Sequence, residues 1–317
     1  MPDVPIMPAR LCTDPGAHLT LGEGPIWDPV RGTLLWVDIA RGIVLEGDLV
    51  GGRVRTRSSR TYDVTVGAVT TTRDGGLLVA GARRVLLVDS QGEVTGTVPV
   101  IDPSVGSRLN DGGCDPAGRF LVGTLALDGR RGTERLYSIG ADARPVLLLA
   151  DLSLSNGVGF SPDGTRLYLV DSVPGVVHAF EYDTTTGALG RRDTVWTSTG
   201  LVPDGLTIDT LGNIWVAFFG AGQVHCLSPE GDLLARVVVP APNTTCPAFV
   251  GPDLAQLLVA TAREQITSEQ LEQWPDSGGL FLADVGVHGL PAGAWSGSTV
   301  RDTVLASRPS TSEETPP

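Results

Sequence analysis

Five segments of the chain repeat one alternation of polar and apolar positions. Each starts with a short polar stretch, continues as an apolar strand, turns at Asp, Pro or Gly, and returns as a second apolar strand. They begin at Glu23 (EGPIWDPVRGTLLWVDI), Val66 (VGAVTTTRDGGLLVAG), Asn110 (NDGGCDPAGRFLVGTL), Asn156 (NGVGFSPDGTRLYLVDS) and Asp204 (DGLTIDTLGNIWVAFFG). A sixth, more divergent copy, TCPAFVGPDLAQLLVATA, begins at about Thr245 and continues through GGLFLADV.

The spacing of these copies predicts the fold. Successive copies start 41 to 48 residues apart, which suits a blade of four antiparallel strands, and a ring of such blades protects its own strand edges. Helical periodicity is weak except at residues 262–274, where a turn or two is predicted. We therefore predict an all-β fold, a six-bladed β-propeller. A pair of β-sandwiches is the alternative, but it does not explain six copies.

Domain boundaries follow from the extent of the repeat. We expect an N-terminal extension at residues 1–14 and a single propeller domain at residues 15–306. Residues 307–317 are predicted to be a disordered tail, because the final stretch is polar and rich in proline.

The residues that open the blades are expected to meet. The first strands of a propeller line its central channel and run the same way, so equivalent positions at their starts converge. Asn110, Asn156 and Asp204 each stand eight residues before the glycine of their turn, whereas Glu23 and Val66 stand nine before theirs. We interpret the additional residue as a longer turn in the first two blades. The predicted ring contains Glu, Val, Asn, Asn, Asp and Thr or Cys.

Four of these six positions supply oxygen atoms, and two of the four are carboxylates. Burying such groups together is costly unless a positive charge lies among them, and a hard divalent cation is the simplest partner. The alternative is turn chemistry, because Asn-Gly and Asp-Gly are common turn dipeptides. Only the shared repeat position favours a metal site, and the repeat does not decide which asparagine binds the metal.

Composition excludes several classes of function. The formal net charge is -13 and no run of Lys or Arg interrupts it, which argues against nucleic-acid binding. No stretch of eighteen apolar residues is present, so a membrane span is not expected. The first residues lack the apolar core of a secretory signal, and four scattered cysteines without a CxxC pair are predicted to be reduced. A cytoplasmic location is therefore expected.

Four of the repeats carry a family resemblance. LGEGPIWDPVRGTLLWVDI, SRLNDGGCDPAGRFLVGTL, LSNGVGFSPDGTRLYLVDS and VPDGLTIDTLGNIWVAFFG resemble the SMP-30/gluconolactonase/luciferin-regenerating-enzyme family over about residues 15 to 290. The resemblance implies a propeller with one divalent metal in its channel, held by Glu23, Asn156 and Asp204. It also implies that Asn110 contacts substrate or water beside the metal and that Arg108 binds substrate oxygens.

One position departs from that family's pattern. Sugar lactonases of this group usually carry an acidic residue where this chain has Leu127, shortly before Asp128 and the charged loop DGRRGTER. Leu127 is expected to make the pocket less able to bind a polyhydroxylated sugar. Two further residues have alternative interpretations. Arg108 could instead form a salt bridge with Asp111 or another loop carboxylate. Asp111 itself either supports the site or belongs to a turn.

These residues predict a metal-dependent hydrolase that opens a lactone or similar cyclic ester. Asp204 is the candidate general base or proton shuttle, and Asn110 is a second candidate catalytic group. The predicted cofactor is one divalent cation, Ca²⁺ first, with Zn²⁺, Mg²⁺ and Mn²⁺ as alternatives. A small-molecule substrate is expected, and a monomer or weak dimer. Two other functions stay open: a Lewis-acid lyase, isomerase or cyclase, and a non-enzymatic calcium-binding propeller.

Overall fold

The computed structural model describes residues 4–14 and 16–299, and it is a six-bladed β-propeller as the repeat predicts. The predicted tail, residues 307–317, lies outside the described residues. The helical turns predicted within residues 262–274 are present as α1 (Ser268–Gln273), which Thr267 caps at its amino end. Within the described ranges, no helix is long and apolar enough to cross a membrane.

Two short strands, β1 (Ile6–Pro8) and β2 (Arg10–Leu11), precede the repeat. Blade 1 contains β3 (Gly22–Asp28), β4 (Thr33–Asp38), β5 (Ile43–Val50) and β6 (Arg53–Thr61). Blade 2 contains β7 (Val66–Thr71), β8 (Leu77–Gly81), β9 (Arg84–Val88) and β10 (Val94–Pro99). Blade 3 contains β11 (Ser107–Cys114), β12 (Phe120–Ala126), β13 (Glu134–Ile139) and β14 (Pro145–Leu152).

Blade 4 contains β15 (Ser155–Phe160), β16 (Arg166–Asp171), β17 (Val176–Tyr182) and β18 (Leu189–Thr197). Blade 5 contains β19 (Val202–Ile208), β20 (Ile214–Phe219), β21 (Gln223–Leu227) and β22 (Leu233–Val238). Blade 6 contains β23 (Thr244–Val250), β24 (Gln256–Thr261) and β25 (Leu280–Asp284).

The N-terminal segment closes the ring. Strand β2 pairs antiparallel with β25 and supplies the fourth strand of blade 6, while β1 adds a parallel fifth strand to blade 5 beside β22. In their described part, residues 4–14 therefore belong to two blades instead of standing apart as an extension. This pairing joins the beginning of the chain to its last blade.

The hydrophobic core is divided among the six contacts between neighbouring blades. Each of six clusters of buried side chains contains residues from two adjacent blades. Trp27 and Trp36 lie in the cluster between blades 6 and 1. Because every blade is held on both faces, the inner strands have fixed positions around the channel.

Candidate active site

The inner strand of every blade carries a β-bulge close to its start. The register of pairing with the second strand shifts between Glu23/Ile26, Val66/Ala68, Leu109/Gly112, Ser155/Val158, Pro203/Leu206 and Thr244/Pro247. A bulge bends the strand, increases its twist and redirects its side chains. The six bulges therefore determine which side chains meet around the axis.

Three of the predicted residues form one hydrogen-bonded chain across blades 3, 4 and 5. Asn110 Nδ2 donates to Asn156 Oδ1 at 3.3 Å and to the carbonyl oxygen of Ser155 at 3.1 Å. Asn156 Nδ2 in turn donates to Asp204 Oδ1, and to Ser172 Oγ at 3.1 Å. All three side chains are buried. The structure thus brings together residues that lie 94 positions apart at their extremes.

Glu23 enters the same region from blade 1. Its buried carboxylate accepts a hydrogen bond from the backbone N–H of Gly24 at 2.9 Å. Burial, and then the charges of Asp204 and Asp111, raise the pKa of Glu23 well above its ordinary value. Glu23 is therefore electrostatically coupled to the carboxylates of the other blades, although no hydrogen bond joins it to them within the described residues.

The turns decide two details of the predicted ring. In blade 1 the additional residue lies in the turn, as predicted, because Gly32 N–H donates to the carbonyl oxygen of Asp28 four residues earlier, whereas Gly164 N–H donates to that of Ser161 three residues earlier. The bulge of blade 1 has the same length as that of blade 4, and Gly24 within it adopts φ +51°. In blade 2 the bulged residue is Gly67.

Val66, the residue predicted for that ring position, instead packs in the core between blades 1 and 2. The prediction failed there because blade 2 lacks the longer turn: Gly75 N–H donates to the carbonyl oxygen of Thr72, three residues earlier, so the inner position lies eight residues before Gly75, at Gly67. Blade 2 therefore contributes no side-chain oxygen at this position.

Asp111 is a member of the site that sequence reasoning left undecided. It follows Asn110 within the two-residue bulge of β11, it is buried, and its Oδ1 accepts from the N–H of Gly112 at 2.7 Å. Burial raises the pKa of Asp111 to about 6. Its charge also contributes to the raised pKa of Glu23 and of Asp204. The signal that could have identified it is the bulge, which turns two consecutive residues inward.

Blade 6 contributes neutral groups. Thr245 Oγ1 donates to the carbonyl oxygen of Gly22 at 2.6 Å and so joins blade 6 to blade 1. Burial, and then the charges of Glu23, Asp111 and Asp204, raise the pKa of the Cys246 thiol well above its ordinary value. The thiol is therefore a neutral group beside the carboxylates.

Arg108 brings positive charge towards the site. Its Nη1 donates to Asn110 Oδ1 at 2.7 Å and to the carbonyl oxygen of Leu109 at 3.0 Å. Burial lowers the pKa of Arg108, and the charges of Glu264, Glu23 and Asp204 oppose that effect. The alternative salt bridge to Asp111 is not formed. Because both hydrogen bonds use Nη1 within the described residues, Nη2 is available to a ligand.

Leu127 lies near the start of β11, just after β12 ends. Its backbone N–H donates to the carbonyl oxygen of Gly106 at 2.9 Å, and the residue is 63% exposed. The predicted substrate-binding residues Arg108, Asn110 and Leu127 are therefore placed on one hairpin of blade 3.

The donor set fits a hard cation. Three buried carboxylates, Glu23, Asp111 and Asp204, face one partly buried guanidinium, so the site has excess negative charge in a region of low dielectric. Among the described residues, no three His, Cys, Asp or Glu side chains are arranged as a metal-binding group. A cation held here has to use amide oxygen as well as carboxylates, and Asn156 is the amide bonded directly to Asp204.

A cavity of about 480 Å³ occupies the channel beyond the bulges. Asp111 and Cys246 lie at its wall, and most of its lining is apolar, including Phe160 and Phe249. Leu290 to Gly293 also line it, where the chain runs from a bridge between Gly289 and Asp209 of blade 5 to one between Trp295 and Thr72 of blade 2. The bulges therefore separate a charged half of the channel from a largely apolar half.

Comparison with known proteins identifies the relatives of this chain. A family model described as "SMP-30/Gluconolactonase/LRE-like region" matches residues 21–263. Regucalcin from Gallus gallus is 33% identical over 289 residues, covering 87% of this chain and 95% of that protein. A 6-deoxy-6-sulfogluconolactonase from Pseudomonas putida is 33% identical over 282 residues with the same coverage of both chains.

Solved structures agree with the fold. A calcium-binding protein, regucalcin, from Agrobacterium tumefaciens superimposes with a TM-score of 0.84 at 30% identity, covering 92% of this chain and 99% of that chain. A luciferin-regenerating enzyme superimposes with a TM-score of 0.80 at 28% identity, covering 88% and 96%. The similarity extends over nearly the full length of both partners.

Proposed function

Because this chain belongs to the SMP-30/gluconolactonase/LRE-like family, we propose that it is a metal-dependent hydrolase that opens a lactone or a similar cyclic ester. Glu23, Asn156 and Asp204 hold one divalent cation, for which we propose Ca²⁺. The 6-deoxy-6-sulfogluconolactonase among its relatives supports the reaction class, and the relative described as a calcium-binding protein supports the choice of metal.

The observation that carries this proposal is the uncompensated negative charge at the bulges. Glu23 and Asp204 come from blades 1 and 5, with blade 6 between them, yet the charge of Asp204 raises the pKa of Glu23 and both charges raise the pKa of Cys246. Native proteins keep such buried carboxylates where a cation or a proton neutralises them. The ligand set of oxygen atoms alone suits a hard cation.

When bound, the cation supplies Lewis-acid polarisation of the ester carbonyl and a lowered pKa for a water molecule. The side chains of this chain orient the reactants. Arg108 donates from Nη2 to substrate oxygens, and its Nη1 holds Asn110 in place. Asp204 accepts the proton of the attacking water at Oδ2, the oxygen that is not bonded to Asn156.

The test combines metal removal with ligand substitution. Protein stripped with a chelator and then reloaded with Ca²⁺, Mg²⁺, Mn²⁺ or Zn²⁺ is assayed on a panel of lactones, with the mass of the product measured. We expect ring opening that adds one water and depends on the metal, and a loss of about 10³-fold or more in Asp204→Asn and Glu23→Gln.

The matched control is Asp163→Asn, which changes an exposed turn carboxylate bonded to Ser161 and Thr165. It is expected to keep full activity. Absence of metal-dependent ring opening on every lactone contradicts the proposal, and a product of unchanged mass indicates isomerisation or elimination instead.

A second candidate function is calcium binding without catalysis. The similarity to proteins named regucalcin, one of them described as calcium-binding, favours it. Calcium titration of the wild type and of Asp204→Asn by calorimetry separates the two functions. Calcium binding that Asp204→Asn abolishes, together with no turnover on any lactone, supports this second candidate.

A further inference from the structure

The hairpin that carries Arg108 also presents leucines on the same face. In the β11–β12 pair, Arg108 is opposite Leu125, and directly paired residues project to the same side of an antiparallel sheet. Leu127 lies two residues beyond Leu125, beside Gly106. Side chains two residues apart share a face, so Leu125 and Leu127 lie on the side of Arg108. That side is turned to blade 4, where Asn110 meets Asn156.

Blade 4 extends this apolar surface. Leu154 forms an antiparallel bridge with Leu125, and it directly precedes Ser155, whose carbonyl accepts from Asn110. Leu125 and Leu154 are partly buried, whereas Leu127 is 63% exposed. Three leucines therefore form an apolar strip next to the guanidinium of Arg108, and Leu127 is its solvent-facing end.

The charged loop after Leu127 does not supply a free acid to this strip. Asp128 accepts from Arg130 through both oxygens, from the backbone N–H at 3.2 Å and from Nη1 at 2.8 Å. Arg130 also bonds to Thr133 and Glu134. Asp128 and Arg130 are therefore paired with each other, and Leu127 is the exposed apolar side chain that precedes them.

We propose that the site selects lactones that carry an apolar substituent, with the substituent packed against Leu127 and the ring oxygens bound by Arg108. This inference rests on the proposed hydrolase function and names its substrate class. An alkyl or aryl group gains by leaving water at the leucine strip. The hydroxyls of a sugar lactone lose their water there and meet no hydrogen-bonding partner, which is costly.

The test compares γ-octalactone with D-galactono-1,4-lactone in the calcium-loaded protein. We expect kcat/KM to be about tenfold or more higher for the alkyl lactone, the discrimination typical of a small apolar contact. Leu127→Glu is expected to reduce kcat/KM for γ-octalactone about tenfold while leaving that for the sugar lactone equal or higher. The matched control is Leu211→Glu, at a turn leucine of blade 5 that is 71% exposed, and it should change neither value.

Binding provides a readout that does not need turnover. The lactam analogue of γ-octalactone is titrated calorimetrically into wild type and Leu127→Glu, and we expect weaker binding to the variant but not to Leu211→Glu. Equal or better hydrolysis of the sugar lactone, unaffected by Leu127→Glu, overturns the substrate class while the hydrolase function stands. If neither lactone is opened but the lactam still binds through Leu127, the hydrolase function fails and the apolar recognition stands.

Discussion

Arg108 is placed so that some of its hydrogen-bond donors remain open to a ligand. Its guanidinium is partly buried near Glu23 and Asp204, yet within the described residues its hydrogen bonds go to Asn110 and to a backbone carbonyl. A buried cation that forms no direct ion pair keeps donors free for an incoming oxygen. Its attraction to the two carboxylates also lowers the cost of their burial.

Substitutions of Arg108 distinguish its hydrogen bonding to a ligand from its electrostatic attraction to the carboxylates. Arg108→Lys keeps the charge but loses the planar fork of donors, so we expect kcat/KM to fall about tenfold to hundredfold, a loss of 1.5 to 3 kcal/mol typical of charge-assisted hydrogen bonds. Steady-state kinetics on the best lactone measure this change. Arg108→Gln should lower activity further and also weaken metal-free stability, and equal activity in all three proteins contradicts the assigned role.

His225 makes stability depend on pH at a position remote from the channel. Its ring lies 4.4 Å from that of Phe218, and its Nε2 is 2.9 Å from Gln223 Oε1. Burial, with a smaller effect of Arg236, lowers the pKa of His225 to about 4. The unfolded chain therefore binds a proton below pH 6.5 that the folded protein excludes, and the stabilisation present above pH 6.5 is lost as the pH falls towards 4.

We expect His225→Gln to remove part of this dependence. Between pH 6.5 and 4 the wild type should lose roughly 2 kcal/mol more unfolding free energy than the variant, after allowance for partial relaxation of the site. Urea denaturation across that range provides the measurement, with His288→Gln at an exposed histidine as the control. Parallel pH profiles for wild type and His225→Gln would rule out this assignment.

The bulges of the inner strands depend on glycines that admit a neighbouring backbone. A Cβ placed on Gly67 would lie 2.0 Å from the carbonyl oxygen of Asn110, whereas one on Gly113 would meet nothing nearer than Val158 O at 3.9 Å. Gly67→Ala must therefore push β7 away from β11. We expect it to cost about 2 to 4 kcal/mol in unfolding free energy and to weaken calcium binding by displacing Asn110.

Gly113→Ala is the matched substitution on the adjacent strand. Because its methyl group makes an ordinary contact, stability should stay within about 0.5 kcal/mol of the wild type. Urea denaturation and calcium titration of both variants test the comparison. If Gly67→Ala is as stable as Gly113→Ala and binds calcium as well as the wild type, close packing at the bulges does not determine the site.

The same bulges explain which parts of the site the sequence could predict. Asn110, Asn156 and Asp204 could be assigned to equivalent positions because each stands eight residues before the glycine of its turn. Asp111 stayed undecided because period-two alternation turns consecutive residues to opposite sides, and only a bulge brings both inward. Gly67 was missed in favour of Val66 because blade 2 was assigned a longer turn that it does not have, and a shift of one residue changes which side chain faces the axis.

The pairing of β2 with β25, which closes the ring, could not be predicted from the sequence pattern either. Arg10–Leu11 is a two-residue strand, too short to show alternation, and its partner β25 lies some 270 residues away along the chain. The repeat predicts that a sixth blade needs a fourth strand, but not which end of the chain provides it. Local periodicity predicts the individual strands. Ring closure depends on a contact between residues too far apart in the sequence for any local pattern to show.

That closure makes the first residues important for the stability of the complete ring. Arg10 and Leu11 pair with Leu282 and Phe281, and Ala9 is buried in the cluster between blades 5 and 6. Deleting residues 1–11 exposes the edge of β25 and part of that cluster. We expect a loss of at least about 4 kcal/mol in unfolding free energy, beyond the range of most single substitutions.

Two further measurements attribute that loss to strand pairing. Arg10→Ala removes only the exposed ion pair with Asp284, at 3.1 Å, so it should cost less than about 1 kcal/mol. A peptide of residues 4–14 added to the truncated protein should raise its melting temperature with increasing peptide concentration, because binding to the open edge favours the folded ring. A truncated protein that melts with the wild type, or that the peptide leaves unchanged, would show that the other five blade contacts hold the ring without this strand.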